Sequence, residues 1–352
     1  MCSSAPASTA LGTIIARYRP EIEDALREAF PEDDRAPGLY NILRYHLGWV
    51  DETFAPRRQP GGKLLRPTLC LLCGEAASGS HRRALPAAVA VELVHNFSLI
   101  HDDIEDHSPD RHGRRTVWNI WGSPIAINAG DAMFVLAQLA LIRAPAYGVD
   151  PSTTLAALRV LNQCCLELTE GQHLDLSLEG DPTTTREQYL QMIARKTAAL
   201  MGGAAQLGAF CATGDKALAE HYRAFGTLLG MAFQIQDDVL GIWGDPGQTG
   251  KPAAADVRGR KVTLPVIEGL QRAAPEVAAD IRGVYRGPSP PSDDDVARIV
   301  AHLTDLGIRE QVEAEAASYI EQALAALERA SPQARPAAEL GALARALVHR
   351  PS

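Results

Sequence analysis

Apolar side chains recur along this chain at spacings of three and four residues, the period of an α-helix with one buried face. The spacing predicts helices over 10–29, 38–53, 64–77, 82–106, 123–143, 151–178, 185–213, 215–243, 262–272, 276–285, 293–303, 308–330 and 335–348. Strand signals, an alternation rich in Val, Ile, Thr and Tyr, are absent. Helix starts carry their own marks. Asp150 before Pro151 reads as an N-cap followed by a first-turn proline. Thr184 with Glu187 reads as a capping box. Ser292, followed by Asp293, Asp294 and Asp295, puts acids where the helix dipole favours them. The Ser/Ala/Thr-rich residues 1–9 are expected to form a disordered tail. No linker and no internal repeat divides 10–352, which reads as a single all-α domain.

The chain has 352 residues, 46% of them hydrophobic and 22% charged, enough to build a sizeable core. A net charge of −9 argues against a broad nucleic-acid surface. The cysteines are Cys2, Cys70, Cys73, Cys164, Cys165 and Cys211. No basic start followed by an apolar run opens the chain, so reduced thiols and a cytoplasmic location are expected. Cys70 and Cys73 sit among Leu69, Leu71 and Leu72, a pattern of core thiols. The longest uncharged run, Thr197–Gly214, nears the length of a membrane span. It also holds Gln206 and is rich in Ala and Gly, so it reads as a tightly packed helix, with no membrane span expected.

Two acidic runs end apolar helical stretches: Asp102-Asp103-Ile104-Glu105-Asp106 and Asp237-Asp238-Val239-Leu240-Gly241. On a helix, positions four apart share a face, with Cβ atoms about 5–6 Å apart. Asp102 and Asp106 therefore point one way, and Gln234, Asp237 and Asp238 cluster likewise. Such carboxylates repel one another unless a cation neutralises them. Carboxylates at a helix C-terminus also oppose the dipole, a cost that a functionless surface has no reason to bear. Hard oxygen ligands of this kind suit Mg²⁺, which bridges carboxylate to phosphate.

Basic loops adjoin the acidic runs. One is Arg57–Lys63, rich in glycine. The second holds Arg111, His112, Arg114 and Arg115. The third holds Lys251, Arg258, Arg260 and Lys261. Lys63 and Arg66 lie three apart where a helix begins, and helix N-termini attract anions. Arg195, Lys196 and Thr197 place two charged donors and a hydroxyl beside an apolar segment. Acid followed by base is what a metal-bound diphosphate needs, because Arg can hold the remaining phosphate oxygens in a bidentate fork.

In this order GGKLLRP, HNFSLIHDDIED, RHG, EGQHLDL, KT, FQIQDDVLG, GDPGQTGKP and GRKVTLP resemble the trans-isoprenyl diphosphate synthase (polyprenyl synthetase) family from about Gly61 to Lys261. The resemblance implies the isoprenoid synthase type I fold, a helical bundle around a central apolar cavity. It implies head-to-tail condensation of isopentenyl diphosphate with dimethylallyl, geranyl or farnesyl diphosphate. It implies Mg²⁺, about three ions to a site, bridging carboxylates to phosphate oxygens, with Mn²⁺ able to substitute. Asp102, Asp106 and Asp237 would bind metal, with Asp103 and Asp238 behind them. Arg111, Lys196, Lys251 and Lys261 would contact the allylic diphosphate, with Thr197 and Gln234 close by. Lys63, Arg66 and His95 would hold isopentenyl diphosphate. Gln172 and Asp175 would face the cavity. The family is homodimeric.

The chain departs from the family pattern twice. The second acidic run ends in Gly241 where the family has Asp, and the arginine pair after the first run is Arg111-His112. His112, Arg114 or Arg115 would have to replace the second arginine. Phe97 and Ser98, just before the first acidic run, would set chain length, and the run has no two-residue insertion. In this family that combination implies a short product, geranylgeranyl diphosphate (C20) before farnesyl diphosphate (C15). A terpene cyclase on the same scaffold would have no need of Lys63, Arg66 and His95. An inactive regulatory subunit would have lost the acidic runs.

Overall fold

The computed structural model describes residues 7–31, 36–57, 62–249 and 252–348. It begins with α1 (Ala7–Glu28), α2 (Pro37–His46), α3 (Leu65–Ser78) and α4 (Leu85–Glu105). A minimal hairpin, β1 (Asp110–Arg111) and β2 (Arg114–Arg115), leads into α5 (Val117–Trp121), α6 (Ser123–Ile142) and α7 (Pro151–Leu178). α8 (Arg186–Ile193) and α9 (Ala199–Thr213) are joined through a π-helical turn at Ala194–Ala198. Then come α10 (Lys216–Trp243), the short α11 (Pro246–Thr249) and α12 (Ala255–Arg258), and α13 (Leu264–Arg272). α14 (Pro275–Arg286), α15 (Asp293–Asp305), α16 (Ile308–Glu328) and α17 (Ala334–Val348) complete an all-α bundle of the isoprenoid synthase type I fold.

α9 is the axis of the bundle. Every residue from Ala199 to Ala212 is buried, and the helix packs between α3 and α10, with α16 beyond α10. Small residues make this possible. A Cβ on Gly208 would lie 2.0 Å from the Cys70 carbonyl oxygen, so α3 and α9 touch backbone to backbone. The uncharged run Thr197–Gly214 is therefore packed inside the bundle, as its composition suggested. Cys70, Cys73, Cys164, Cys165 and Cys211 are buried free thiols, and burial pushes the pKa values of Cys70 and Cys73 well above the ordinary range. Cys2 lies outside the described residues. Two helical stretches, Arg82–Glu105 and Ser123–Ile142, are apolar and long enough to cross a membrane; in the bundle the first is 72% buried and the second 44%.

The element boundaries expose where periodicity misleads. α1 already begins at Ala7, inside the stretch read as a tail. α2 stops at His46 instead of residue 53, because Gly48 takes a left-handed conformation (φ 82°) and Asp51 closes the next turn by accepting from the Thr53 and Ala55 amides at 2.8 and 3.0 Å. The capping box is one residue later than expected. The Thr185 hydroxyl oxygen accepts from the Gln188 amide at 3.2 Å and Gln188 Oε1 accepts from the Thr185 amide at 2.8 Å. Thr184 is instead committed to the preceding turn, donating to the Asp181 carbonyl at 2.8 Å. The caps at Asp150 and Ser292 form as read, accepting from the amides of Ser152 (2.8 Å) and Asp295 (3.2 Å). The helix expected over 185–213 is interrupted by the π turn, and the hairpin contradicts the absence of strands.

Adding one methyl group at Gly208 tests the central packing. Gly208→Ala should lower unfolding free energy by about 1–3 kcal/mol through overpacking against the Cys70 carbonyl. Urea unfolding with an unchanged midpoint would show that the two helices can separate without cost.

Candidate active site

The apolar face of α4, including Leu93, Val94 and Ile100, is buried in the core and carries the helix to the end of the bundle, where its acidic run emerges. Asp106 is the C-cap, its amide donating to the Asp102 carbonyl at 2.8 Å. The chain then reverses through the hairpin. His112 (φ 53°) and Gly113 (φ 70°) form its two-residue tip, and two successive positive φ values give the turn that matches strand twist. Opposite each other in the ladder stand Arg111 and Arg114. Two like charges so placed repel, and each is compensated separately. Arg111 Nε donates to Asp103 Oδ1 at 2.7 Å. Arg114 stacks on the Tyr45 ring, 4.0 Å from its centroid, and donates to the Tyr45 and Val50 carbonyls.

Behind the hairpin lies a cavity of about 690 Å³. Lys63, Arg66, His95, Arg111, His112 and Arg114 line it, together with one carboxylate from each acidic run, Asp103 and Asp237. Arg66 Nη1 is 3.2 Å from His95 Nε2. Because guanidinium only donates, His95 Nε2 accepts and the ring proton is on Nδ1. Burial, reinforced by Arg66 and Arg111, holds the pKa of His95 well below its usual range. His46, half-buried beside Asn96, is pushed down to about 3 by desolvation and by Arg111 and Arg114. Both rings are therefore neutral at pH 7. Arg66 Nε is buried without a hydrogen-bond partner. A hollow lined by more cationic than anionic side chains favours a multiply charged anion.

Beside it, the acidic faces are joined through the π turn. Lys196 Nζ lies 2.5 Å from Asp175 Oδ2 on α7 and 3.6 Å from Asp102 Oδ1 on α4. Gly171 lets α7 come this close, since a Cβ there would sit 2.1 Å from the Lys196 backbone nitrogen. The next residue, Thr197, donates to Gln234 Oε1 at 2.8 Å, and Gln234 Nε2 donates to Asp238 Oδ1 at 3.1 Å. The Tyr189 hydroxyl donates to the other Asp238 oxygen. A continuous polar path thus runs from the first acidic run to the second.

Burial pushes Asp103 up to about 6 against the opposing pull of Arg111, and Asp238 up to about 8 despite Tyr189 and Gln234. Asp102 is raised by burial, with Asp106 and Asp175 adding and Lys196 opposing. Among the described residues no three His, Cys, Asp or Glu side chains form a ready-made metal cage. The donors are oxygen-only and stand in two separate faces. That set fits a hard divalent cation completing its shell with phosphate oxygens and water, which would relieve the excess negative charge.

Lys251 lies outside the described residues. Lys261 is exposed and is not among the residues lining the cavity. All three candidates to replace an arginine line the cavity, but Arg115 donates to the Asn119 carbonyl (2.6 Å) and Arg114 to the Tyr45 and Val50 carbonyls, while His112 stands at the hairpin tip. Gln172 donates to Glu105 at 2.7 Å. Phe97 packs against Phe134 and His101, with ring centroids 5.2 and 5.9 Å away, and Ser98 donates to the His95 carbonyl at 2.8 Å. Tyr189, His46 and Asn96 are participants the sequence did not mark; each falls on a helical position that reads equally well as core.

The polyprenyl synthetase family model matches residues 48–303. A (2E,6E)-farnesyl diphosphate synthase of Mycobacterium tuberculosis is 39% identical over 317 residues, 89% of this chain and 87% of that protein. A geranylgeranyl diphosphate synthase of the same organism is 38% identical over 337 residues, 96% of this chain and 93% of that one. The crystal structure of a polyprenyl synthetase from Streptomyces coelicolor A3(2) superposes with a TM-score of 0.86 at 33% identity, covering 97% of this chain and 99% of that chain. Matches of this extent, on a bundle whose two acidic helices converge, make the chain a member of the polyprenyl synthetase family and a prenyltransferase of the short-chain prenyl diphosphate synthase type.

Proposed function

We propose that this protein condenses isopentenyl diphosphate head to tail with an allylic diphosphate in a Mg²⁺-dependent reaction, with geranylgeranyl diphosphate as the main product. The observation that carries this reading is the sharing of one hollow by Lys63, Arg66, His95 and Arg111 with Asp103 and Asp237. A cyclase has no second diphosphate to hold and no use for that cationic pocket. Relatives named for C15 and for C20 products match almost equally, so the product is argued from Phe97.

The roles follow from position. Asp102, Asp106 and Asp237 would hold Mg²⁺ on the allylic diphosphate. When bound, the metal neutralises the leaving group as the allylic C–O bond breaks. Lys196, between Asp102 and Asp175, supplies a further positive charge to the departing diphosphate. Thr197 and Gln234 hold the Lys196 turn against α10. Arg66 and Lys63 anchor the diphosphate of isopentenyl diphosphate, and the neutral His95 offers Nδ1–H as a donor. The double bond of isopentenyl diphosphate attacks the allylic cation, a carbon–carbon bond forms, and the adjacent proton leaves to the released diphosphate. Helix walls keep water from the cation.

Two large rings, Phe97 on α4 and Phe134 on α6, meet edge to face and support a floor that limits the growing chain. α6 also exposes Ile127, Val135, Leu139 and Ile142, each about half exposed, and α7 adds Leu155 at 71% and Leu166 at 54%. An apolar face of this kind favours burial against a second copy, the homodimer of the family.

Purified protein given Mg²⁺, isopentenyl diphosphate and each allylic diphosphate should release longer prenyl alcohols after dephosphorylation. Hydrocarbons from geranylgeranyl diphosphate alone would favour a cyclase, and no turnover would favour a regulatory subunit. In the same assay Asp102→Ala should slow condensation by about 10²–10³-fold with unchanged circular dichroism, and near-normal turnover would overturn its metal role. Phe97→Ala should lengthen the product; an unchanged product would remove Phe97 as the stopper. Val135→Glu with Leu139→Glu should halve the mass seen by light scattering, whereas a parent already monomeric would refute the interface.

A further inference from the structure

His46 closes α2 on the wall of the hollow, which it lines together with Asn96, His95 and the hairpin residues Arg111 and His112. Asn96 fixes its tautomer. The Asn96 Nδ2 donates to the Glu92 carbonyl at 2.8 Å and to Glu92 Oε1 at 3.0 Å, which orients the amide and leaves Oδ1 as the acceptor for the His46 ring. One imidazole nitrogen of His46 thus donates to Asn96, and in the neutral ring the other bears a lone pair. That second nitrogen donates only after gaining a proton.

His112, at the hairpin tip, is the second ring on this wall and is close enough to His46 to oppose its protonation. Desolvation, then Arg111, Lys63 and Arg114, lowers the pKa of His112 in turn. Arg111 and Arg114 on the hairpin, Glu92, His95 and Asp103 on α4, Lys63 and Arg66 at the start of α3, and Asp237 on α10 line the same hollow. Basic groups dominate near both rings and keep them neutral. A diphosphate against this wall reverses the sign of the field there, because an opposite charge within about 4–6 Å favours the protonated ring.

We infer that His46 is a further binding residue for isopentenyl diphosphate, and that His46 and His112, by taking protons from solvent as this anion arrives, together supply the charge that an arginine at position 112 would carry permanently. The inference rests on the diphosphate-synthase reading of the hollow. Each imidazole gains its proton on the nitrogen that held the lone pair, and the new N–H donates to a phosphate oxygen. Such charge-assisted bonds are the strong ones. Affinity for isopentenyl diphosphate therefore falls as pH rises, by about tenfold per pH unit for each proton taken up.

The test is a calorimetric titration of isopentenyl diphosphate into the full chain, without allylic substrate, in buffers of different ionisation enthalpy. Affinity and proton uptake are then read together and nothing turns over. At about pH 8 the phosphates of the ligand are already ionised, so protons taken up go to the protein. The parent should take up protons, and its affinity should fall with rising pH. His46→Gln keeps an amide donor but cannot ionise; it should take up fewer protons and bind about 10-fold more weakly. His112→Arg should bind more tightly than the parent, and in that background His46→Gln should cost about 3-fold or less. A His46 that only holds Asn96 would cost the same in both backgrounds. Circular dichroism checks the fold, and His46→Asn takes the place of the Gln variant if that one does not fold. No uptake by the parent, parent-like uptake in His46→Gln, or an equal loss of affinity in both backgrounds overturns the inference. A parent that binds no isopentenyl diphosphate overturns instead the reading of the hollow on which it rests.

Discussion

Buried negative charge that the chain does not fully neutralise is the constraint around which this molecule is organised. Apolar helix faces bring Asp102, Asp103 and Asp238 into surroundings that raise their pKa values. One ammonium, one guanidinium, a phenol and an amide answer them. Isolated buried carboxylates would be costly, and the arrangement makes sense as one half of a larger charge balance completed by cations and phosphate. The neighbouring hollow has the opposite imbalance, with the Arg66 Nε buried and unpartnered and two histidines held neutral. A diphosphate bridged to divalent cations satisfies both at once.

The rigidity of the core makes these imbalances tolerable. α9 has no polar face to spare, and its small residues bring α3 and α10 into close register around it. Elements that meet through backbone contacts have little freedom to relax, so charges at their ends stay where the packing puts them.

Much of this was legible in the sequence, for definable reasons. Long periodic helices such as α4, α7 and α10 follow from their apolar spacing, and the caps at Asp150 and Ser292 from local chemistry. The acidic runs and the Lys63–Arg66 pair were readable because their residue types have few other uses together. The sequence was silent where tertiary contact decides. Thr184 and Thr185 are equal candidates for a cap until the preceding turn claims one of them. The hairpin is four charged residues around a left-handed His-Gly tip, with no strand propensity at all. Arg114 and Arg115 look interchangeable as phosphate ligands, yet one is consumed by Tyr45 and the other by Asn119.

The π turn at Ala194–Ala198 has one more implication. A π turn is an α-helix holding one surplus residue, and each residue of an α-helix advances the azimuth by about 100°. Here the surplus decouples the two halves of what would otherwise be a single rod: α8 keeps Tyr189 aimed at Asp238 while α9 keeps its seam against α3. Excising one residue from this segment would restore a regular rod but swing one half by that angle relative to the other. Reactive-site geometry and core packing would then be mutually exclusive, which makes this stretch intolerant of length change even though its ends are ordinary helix.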